Sequence, residues 1–546
     1  MTTDDQPSVQ KPSKTRQHWQ ATKRPWFRRL LLMSTSLAMA SRFQVYQMTV
    51  VNNLEPLVRS WSAPTQDDNA RFSRASRWVW QWPLLVSLFA VGLVAGTLAS
   101  CATLDRHGRR PAARAVSGLL IICGCSVILA YHLRSFALLC ATRLFGGAIA
   151  GTMTVCTSLL VVETPPTRWR GFFSSIMNLF FGVGDLLGVL VSLPGLLGSE
   201  RGWPWAMALG YIVPGVLALP MTIALHESPR HLYSSVTSTE NDAAVIKSVL
   251  FYQGHENLEA TFSELDSERC NLRARPAIAS VFRSNEFRRS LVTLFSIALS
   301  LQFSGLGFLA SYSTSVLVKA GLSFSSAARY STLMNVAKLL VLFVTPYTVE
   351  FVGRRCNCLI GVFGCSVSLL PVGVLLLLFA RTPSVTQVHT PSVTQVHTPS
   401  VAQVHTPSVT QVHTPSATKH STLAVGTVVA MLMTVNMSFY ALSRITRNFA
   451  VRFHSRCTFI PISGELLPQA VRARVLALFQ AVTWLIESLS TFIMPLLMNA
   501  VDVSVPFFVF SVVELLLFIH LYLRLPETTN RPMADIQNDE RSRLLE

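Results

Sequence analysis

The sequence predicts an all-helical membrane protein of about twelve helices, and three observations support this prediction. The chain has 546 residues, of which 50% are hydrophobic and only 14% are charged, whereas a soluble domain carries roughly 25% charged residues. The hydrophobic residues are gathered into long runs, and a helix needs about 20 of them to cross a bilayer. Short basic segments separate the runs. We therefore expect the lipid bilayer to surround most of this chain.

The apolar runs follow one another along nearly the whole chain. One such run could be a buried core helix, but a series of them predicts a multi-pass bundle. The tenth run has an irregular continuation. The runs are 29–51, 78–102, 113–132, 138–163, 171–196, 203–226, 289–317, 325–350, 357–380, 422–443, 474–500 and 503–524.

The net charge of +18 could suit a nucleic-acid-binding protein, but its distribution favours another explanation. Basic clusters precede the first run and then follow every second run, as in the cytoplasmic loops of membrane proteins. No nucleic-acid partner is expected. The predicted order is a cytoplasmic tail, a six-helix half, a cytoplasmic linker with short helices, a second six-helix half and a cytoplasmic tail. Their bounds are 1–28, 29–226, 227–288, 289–524 and 525–546.

A repeat interrupts the second half between its ninth and tenth runs. From 381 to 420 an octapeptide recurs, as in His-Thr-Pro-Ser-Val-Thr-Gln-Val at 389–396. Regularly spaced proline prevents a continuous helix, and the polar content leaves little to bury. We predict a disordered tract in an outer loop. Its recurring histidines leave metal binding open, but we favour a passive repeat and expect no metal site and no cofactor.

Two matching motifs mark the two halves. Asp-Arg-His-Gly-Arg-Arg occupies 105–110 after the second run, and Glu-Phe-Val-Gly-Arg-Arg occupies 350–355 after the eighth. One glutamate ends the fourth run and another ends the tenth-run region. In both places an arginine follows the glutamate by seven residues. Arginines pair well with carboxylates, so we expect salt bridges that close an inner gate. The expected gate residues are Arg109, Arg110, Glu163, Arg170, Glu350, Arg354, Arg355, Glu465 and Arg472.

Together with other segments, these motifs resemble the sugar porter signature of the major facilitator superfamily. The other segments are His-Glu-Ser-Pro-Arg at 226–230, Pro-Glu-Thr at 526–528, and 301–305 and 312–315 in the seventh run. The seventh run is similar to that of the facilitative glucose and fructose transporters. The resemblance implies a twelve-helix bundle of two six-helix halves. It also implies hexose uniport by alternating access in the plasma membrane, with a small sugar as partner and no enzyme activity.

The resemblance further implies a sugar site, which this chain keeps only in part. Gln302 matches one of two family glutamines, and Trp484 matches a tryptophan that packs on the sugar. Asn178 replaces a glutamine, and Lys338 and Thr483 each replace an asparagine. Amide side chains both donate and accept hydrogen bonds, as sugar hydroxyls require. The expected substrate-binding residues are Gln302, Trp484, Asn178, Lys338, Thr483 and Tyr312.

Other departures from the family concern specificity. Ala298-Leu299-Ser300 stands where glucose-selective members have Gln-Leu-Ser, and Ile460 replaces a tryptophan. Both departures favour the fructose-type subfamily. Gly307 replaces a further asparagine of the family site.

Three ionisable residues lie well inside predicted spans: Asp185, Lys338 and Glu487. Such residues usually line a cavity or pair with one another. A charge relay and an ionic-solute site remain open as interpretations. We favour a structural ion pair.

The tenth run departs most from the family. Residues 444–456 hold four arginines where the family has a glycine- and proline-rich break, and each would cost roughly 2.5–3.5 kcal/mol at the bilayer centre. Three alternatives therefore stay open beside hexose transport. They are an organic-ion carrier of the same fold, a non-transporting membrane sensor or scaffold, and a degenerate member of the family. No oligomeric state is predicted.

Overall fold

In the computed structural model, the chain folds into a bundle of long helices. The described residues are 25–62, 68–166, 169–235, 242–254, 258–259, 261–263, 265–266, 285–352, 354–381, 416–448 and 469–525. Most of the octapeptide tract and of the arginine-rich segment 444–456 lies outside these ranges.

The first half and the linker contain nine continuous helices among the described residues, and the described residues between 258 and 266 are helical as well. The helix that ends at Thr49 continues as a 3-10 turn, η1, at Val50–Asn53. The helices are α1 (Pro25–Thr49), α2 (Glu55–Ser62), α3 (Asp68–His107), α4 (Arg109–His132), α5 (Phe136–Glu163), α6 (Arg170–Val191), α7 (Trp203–Ala224), α8 (Pro229–Ser235) and α9 (Asp242–Gln253).

The second half contains seven helices among the described residues, and its first transmembrane segment is broken into two. The break follows Phe303, and Gly305 within it has a φ of +79°, a left-handed conformation that glycine adopts without strain. The helices are α10 (Asn285–Phe303), α11 (Leu306–Lys319), α12 (Phe324–Val352), α13 (Arg354–Arg381), α14 (Ser416–Asn448), α15 (Gln469–Ala500) and α16 (Val505–Arg524).

Nine stretches of the described helices are long and apolar enough to cross a membrane, one of them spanning α10 and α11. Two predicted spans, α6 and α14, contain shorter apolar stretches at 179–191 and 425–441. Helix α1 is long, but it carries polar residues that are buried inside the bundle, among them Ser41, Gln44 and Gln47. The predicted all-helical bundle is confirmed, and α1 shows why a count based on hydropathy falls below twelve.

Small residues let the helices of the first half approach closely. A methyl group on Gly92 of α3 would lie 2.1 Å from the carbonyl oxygen of Leu144, and one on Gly147 of α5 would lie 2.1 Å from that of Phe89. Only glycine fits such contacts, which are typical of helix packing inside membranes. By contrast, Phe145 of the same helix is 64% exposed on the outside of the bundle, where we expect lipid.

Among the described residues, the two halves meet mainly along three contacts. Helix α3 packs on α15, α6 packs on α12, and η1 packs on α11. Helices α8 and α9 lie at the end of the bundle where α1 begins, because α9 packs on α1. We call this end the linker face and the other end the opposite face.

Candidate functional site

The helix break at Gly305 positions the predicted sugar site. Gln302 lies in the last turn of α10 and is 7% exposed. The break leaves backbone groups without helical partners, and these must be satisfied inside a membrane protein. Asn436 of α14 does so by donating from Nδ2 to the carbonyl oxygen of Ser304 at 3.2 Å. The break, and with it Gln302 at the end of α10, is thereby tied to α14.

Trp484 lies on α15 and is 9% exposed. Its indole Nε1–H has no hydrogen-bond acceptor among the described residues. A buried donor without an acceptor costs about 1–3 kcal/mol, so this group is suited to bind an oxygen atom of a solute. Its neighbour Thr483 donates to the carbonyl oxygen of Phe479 in its own helix at 2.8 Å, which leaves the threonine oxygen able to accept.

Two predicted ligands are engaged with protein groups. The Tyr312 hydroxyl donates to the carbonyl oxygen of Thr491 at 3.2 Å and so ties α11 to α15. Lys338 donates from Nζ to Oδ2 of Asp185, and both side chains are only 1% exposed. The favoured interpretation of a buried ion pair therefore holds for Asp185 and Lys338. Asn178 lies on α6, and its side chain falls outside the described residues.

Glu487 occupies the space left by the glycine at 307. A methyl group on Gly307 would lie 1.7 Å from Glu487 Oε1, so the carboxylate stands where the family asparagine would begin. Glu487 also lines a cavity of about 10 Å³, which is room for roughly one water molecule. The cavity lies between the two halves, because its other lining residues are Met48, Val86, Phe89, Ala90, Ser311 and Thr491.

A network of hydrogen bonds closes the bundle at the opposite face. The Asn52 side chain donates to Ser313 Oγ at 2.9 Å and to Ser331 Oγ at 2.6 Å, and it accepts from the Thr314 backbone N–H at 3.1 Å. Asn53 accepts from Thr314 Oγ1 at 2.7 Å. All of these bonds join η1 of the first half to α11 or α12 of the second. We call these five residues the opposite-face seal.

A charged network lies at the linker face. Arg109 Nη2 lies 3.3 Å from Glu163 Oε1, and its Nη1 lies 2.6 Å from His231 Nδ1. Glu227 accepts from the backbone N–H groups of Arg109 and Arg110 at 2.9 and 3.0 Å, so a carboxylate caps the positive end of α4. Gly108 makes this approach possible, because a methyl group there would lie 2.6 Å from Glu227 Oε2.

Helix α9 docks on the same network. Ser248 Oγ donates to the carbonyl oxygen of Glu227, and Tyr252 Oη donates to that of His226, both at 2.6 Å. The ring of His226 lies 4.4 Å from that of Phe251. Arg109, Arg110, Glu163, Glu227 and α9 all belong to the first half and its linker, so the described network braces one half.

The remaining predicted gate residues, one in the first half and five in the second, are described only in part. Arg355 Nη2 donates to the carbonyl oxygen of Tyr522 at 2.9 Å. The backbones of four others lie in described helices, while their side chains lie outside the described residues, as does the whole of Glu465. These four are Arg170, Glu350, Arg354 and Arg472.

Arg143 is a further buried charge, with 0% exposure, at the centre of the first half. Its Nη1 donates to the backbone oxygen of Gln47 at 2.9 Å and to Oε1 of the same residue at 3.1 Å. Its guanidinium carbon lies 4.8 Å from the centre of the Phe89 ring. Neutral oxygens and an aromatic face thus hold this cation.

Comparison with known proteins decides the family. The family model described as "Sugar (and other) transporter" matches residues 33–447 and 448–539. The chain belongs to this family. As a member it is a multi-pass membrane protein and, as the sequence predicted, not an enzyme.

Its relatives include named glucose transporters. The chain is 26% identical over 343 residues to the chicken (Gallus gallus) "Solute carrier family 2, facilitated glucose transporter member 3", covering 62% of this chain and 68% of that protein. It is 27% identical over 355 residues to the human protein of the same description, covering 63% and 70%.

Solved sugar transporters share the fold. The bundle superposes on the xylose transporter XylE from E. coli in an inward-open conformation with a TM-score of 0.66 at 16% identity, covering 93% of this chain and 99% of that one. A partially occluded inward-open conformation gives 0.65 at 15% identity, covering 91% and 100%. The predicted major facilitator bundle is confirmed.

Within this sugar-transporter bundle, sequence reasoning missed two amides and a carboxylate. Asn335 and Asn436 are 3% and 1% exposed, and the Oδ1 of each has no donor among the described residues. Amides inside apolar runs are a visible signal, and Asn335 lies three residues from the lysine that drew attention instead. Glu227 was visible within the motif at 226–230, but its role at α4 follows only from the fold.

Proposed function

We propose that the chain carries hexoses across the membrane by facilitative transport, through alternating opening of its two faces. The observation that supports this most is the set of unpartnered hydrogen-bonding atoms inside the described part of the bundle. Trp484 offers a donor, and Asn335 and Asn436 each offer an acceptor. Sugar hydroxyls both donate and accept, so a hexose suits a bundle interior that offers donors and acceptors of this kind. An apolar solute would leave them unsatisfied.

The opposite-face seal supports an inward-facing conformation. On the topology proposed from the basic loops, with both termini and the linker in the cytoplasm, the linker face is cytoplasmic. The seal then closes the outer face, and solute would leave towards the cytoplasm. The buried Arg143 donates hydrogen bonds to the neutral oxygens of Gln47. Such oxygens do not take up a proton, so this contact accords with uniport rather than with proton-coupled transport.

Two observations bear on which hexose the chain carries. The relatives named above are described as glucose transporters, while the fructose-type departures at 298–300 and at Ile460 favour fructose. We therefore propose transport of glucose, fructose or both. The plasma membrane remains the proposed location.

The decisive experiment is uptake of labelled glucose, fructose and urate by proteoliposomes holding the purified full chain. We expect hexose uptake that saturates and does not change with an imposed pH gradient. Uptake of urate alone would support the organic-ion alternative. No uptake of any of the three would support a non-transporting or degenerate protein, and residues 444–456 would then be deleted to test whether they block transport.

Two variants locate the site. Trp484→Ala and Gln302→Leu should each weaken hexose affinity roughly tenfold or more, because each removes an interaction worth on the order of 1–3 kcal/mol. Trp205→Ala is the matched control, since this tryptophan is 51% exposed on α7. The site is misplaced if both site variants transport as the control does.

A further inference from the structure

The buried ion pair joins the two halves of the bundle. Asp185 lies on α6 of the first half and Lys338 on α12 of the second, and each side chain is 1% exposed. Asp185 lies six residues before the end of α6 at Val191, or roughly 9 Å at 1.5 Å per residue. It lies about 22 Å from the beginning of the helix at Arg170 by the same measure. The pair thus belongs to the opposite-face part of the interface.

The helices around the pair approach one another closely. A methyl group on Gly182 of α6 would lie 2.7 Å from Leu342 Cδ1 and 2.8 Å from Leu339 Cδ1, both on α12. On the other side of α6, a methyl group on Gly184 would lie 3.0 Å from the carbonyl oxygen of Arg42 in α1. Asp185 and Lys338 therefore meet where α6 is held between α1 and α12.

The pair and the opposite-face seal share helix α12, which carries both Lys338 and Ser331. Ser331 of the seal precedes Lys338 by seven residues, which places both on one side of α12 about 10 Å apart. Any movement that carries α12 away from the first half at this face would separate Lys338 from Asp185. It would also break the bond that Asn52 makes to Ser331 Oγ.

Separation of the two charges is costly in this environment. A charge left alone in a low-dielectric interior loses its partner without regaining full hydration. The pair therefore favours the conformation in which α6 and α12 stay together. Lys338 stands at a family sugar-binding position. In this conformation its ammonium group is bonded to the Asp185 carboxylate instead of to a solute.

We propose that Asp185 and Lys338 form an ionic latch between the halves, closed while the opposite face is sealed and opened when that face opens. The latch sets the resting conformation and slows reorientation, and Lys338 acts in it as a positioning residue. The inference rests on the proposed alternating movement, but not on hexose as the solute.

The test measures the width of the opposite face without any solute. Nitroxide labels on Ser60→Cys and Ser325→Cys, in the full chain with its other reactive cysteines replaced, report the distance between the halves by double electron–electron resonance. Both positions are exposed, with Ser60 on α2, which follows η1, and Ser325 in the first turn of α12. The parent should give one short distance. Asp185→Asn combined with Lys338→Asn should add a longer one, with roughly a tenfold or greater rise in the open population.

Two further variants separate a latch from a merely structural contact. Exchange of the charges, Asp185→Lys with Lys338→Asp, should restore the short distance. Ser366→Ala with Ser511→Ala is the matched control, because these residues exchange hydrogen bonds at 3.0 and 2.9 Å within the second half. It should leave the distance unchanged. The single variant Asp185→Asn is avoided because a lone buried lysine can prevent folding.

The latch is overturned if the doubly neutral variant keeps the parent distance, or if the charge-exchanged variant opens as far as the neutral one. Hexose uptake by the same proteins separates this result from the proposed function. A parent that moves no hexose, while the neutral variant opens, would reject hexose transport and keep the latch. Normal hexose uptake with unchanged distances in every variant would support hexose transport and reject the latch.

Discussion

The two ends of the bundle are held by different chemistry. At the opposite face, amides and hydroxyls of η1, α11 and α12 form neutral hydrogen bonds between the halves. At the linker face, Arg109, Glu163 and Glu227 form charged contacts within the first half. A neutral hydrogen bond contributes only about 0.5–1.5 kcal/mol net, whereas breaking a buried charge pair costs several. Apart from the single ion pair of Asp185 with Lys338, the contacts between the halves that the proposed cycle must break at the opposite face are thus individually weak, and the charged contacts of the linker face lie where one half must stay rigid.

The largest expected effect follows from removal of a carboxylate at the linker face. Glu163→Ala removes the anionic group that lies beside the buried Arg109 guanidinium, and we expect the free energy of unfolding to fall by about 3 kcal/mol. Thermal unfolding of the purified protein in detergent measures this loss. The control is Glu55→Ala at the opposite face, where the carboxylate accepts a hydrogen bond from Ser315 Oγ at 2.9 Å. Equal losses in the two variants would contradict the contrast between the faces.

The next effects concern the opposite-face seal, where Asn52 makes three bonds between the halves and Asn53 makes one. Asn52→Ala removes three hydrogen bonds between the halves, whereas Asn53→Ala removes one such bond, to Thr314 Oγ1. At about 1 kcal/mol for each bond, Asn52→Ala should raise the population with this face open by roughly 100-fold. Asn53→Ala should raise it by roughly fivefold at the same value per bond.

The rate at which a membrane-impermeant thiol reagent labels a cysteine at Ser331 measures that population. This serine is fully buried and accepts one of the three Asn52 bonds. The Ser331→Cys background is the reference for both variants, and in it Asn52→Ala removes the other two bonds and should raise the labelling rate by roughly 30-fold. If Asn53→Ala opens the face as much as Asn52→Ala, the seal does not act through these hydrogen bonds.

The contrast also explains what the sequence could predict. The paired motifs at 105–110 and 350–355 are local, so their glycine and arginines are enough to indicate a charged network at one face. Asp185 and Lys338 are 153 residues apart, and their pairing depends on the packing of α6 on α12. Periodicity and motifs do not reveal which helices touch. The unpartnered atoms of Trp484, Asn335 and Asn436 likewise follow only from knowing every neighbour.

The smallest expected effect is a dependence of the linker face on pH. Burial, together with Arg110, Lys247 and Arg29, lowers the pKa of His226 below its usual value. The folded protein thus disfavours the protonated ring, and the unfolded chain binds more protons as the pH falls through about 6.5. The contribution of the neutral ring is therefore present above that pH and is lost below it.

Hydrogen exchange tests this dependence at the helix that the ring supports. In α9, which contacts His226 through Phe251 and Tyr252, protection corrected for intrinsic rates should be lower at about pH 5.5 than at about pH 7.5, on either side of the ordinary histidine pKa. Protection of α11 at the opposite face serves as the internal control and should change less. His226→Gln should remove most of the difference in α9, because glutamine does not titrate in this range. If α9 keeps the same pH dependence in that variant, a group other than His226 is responsible for it.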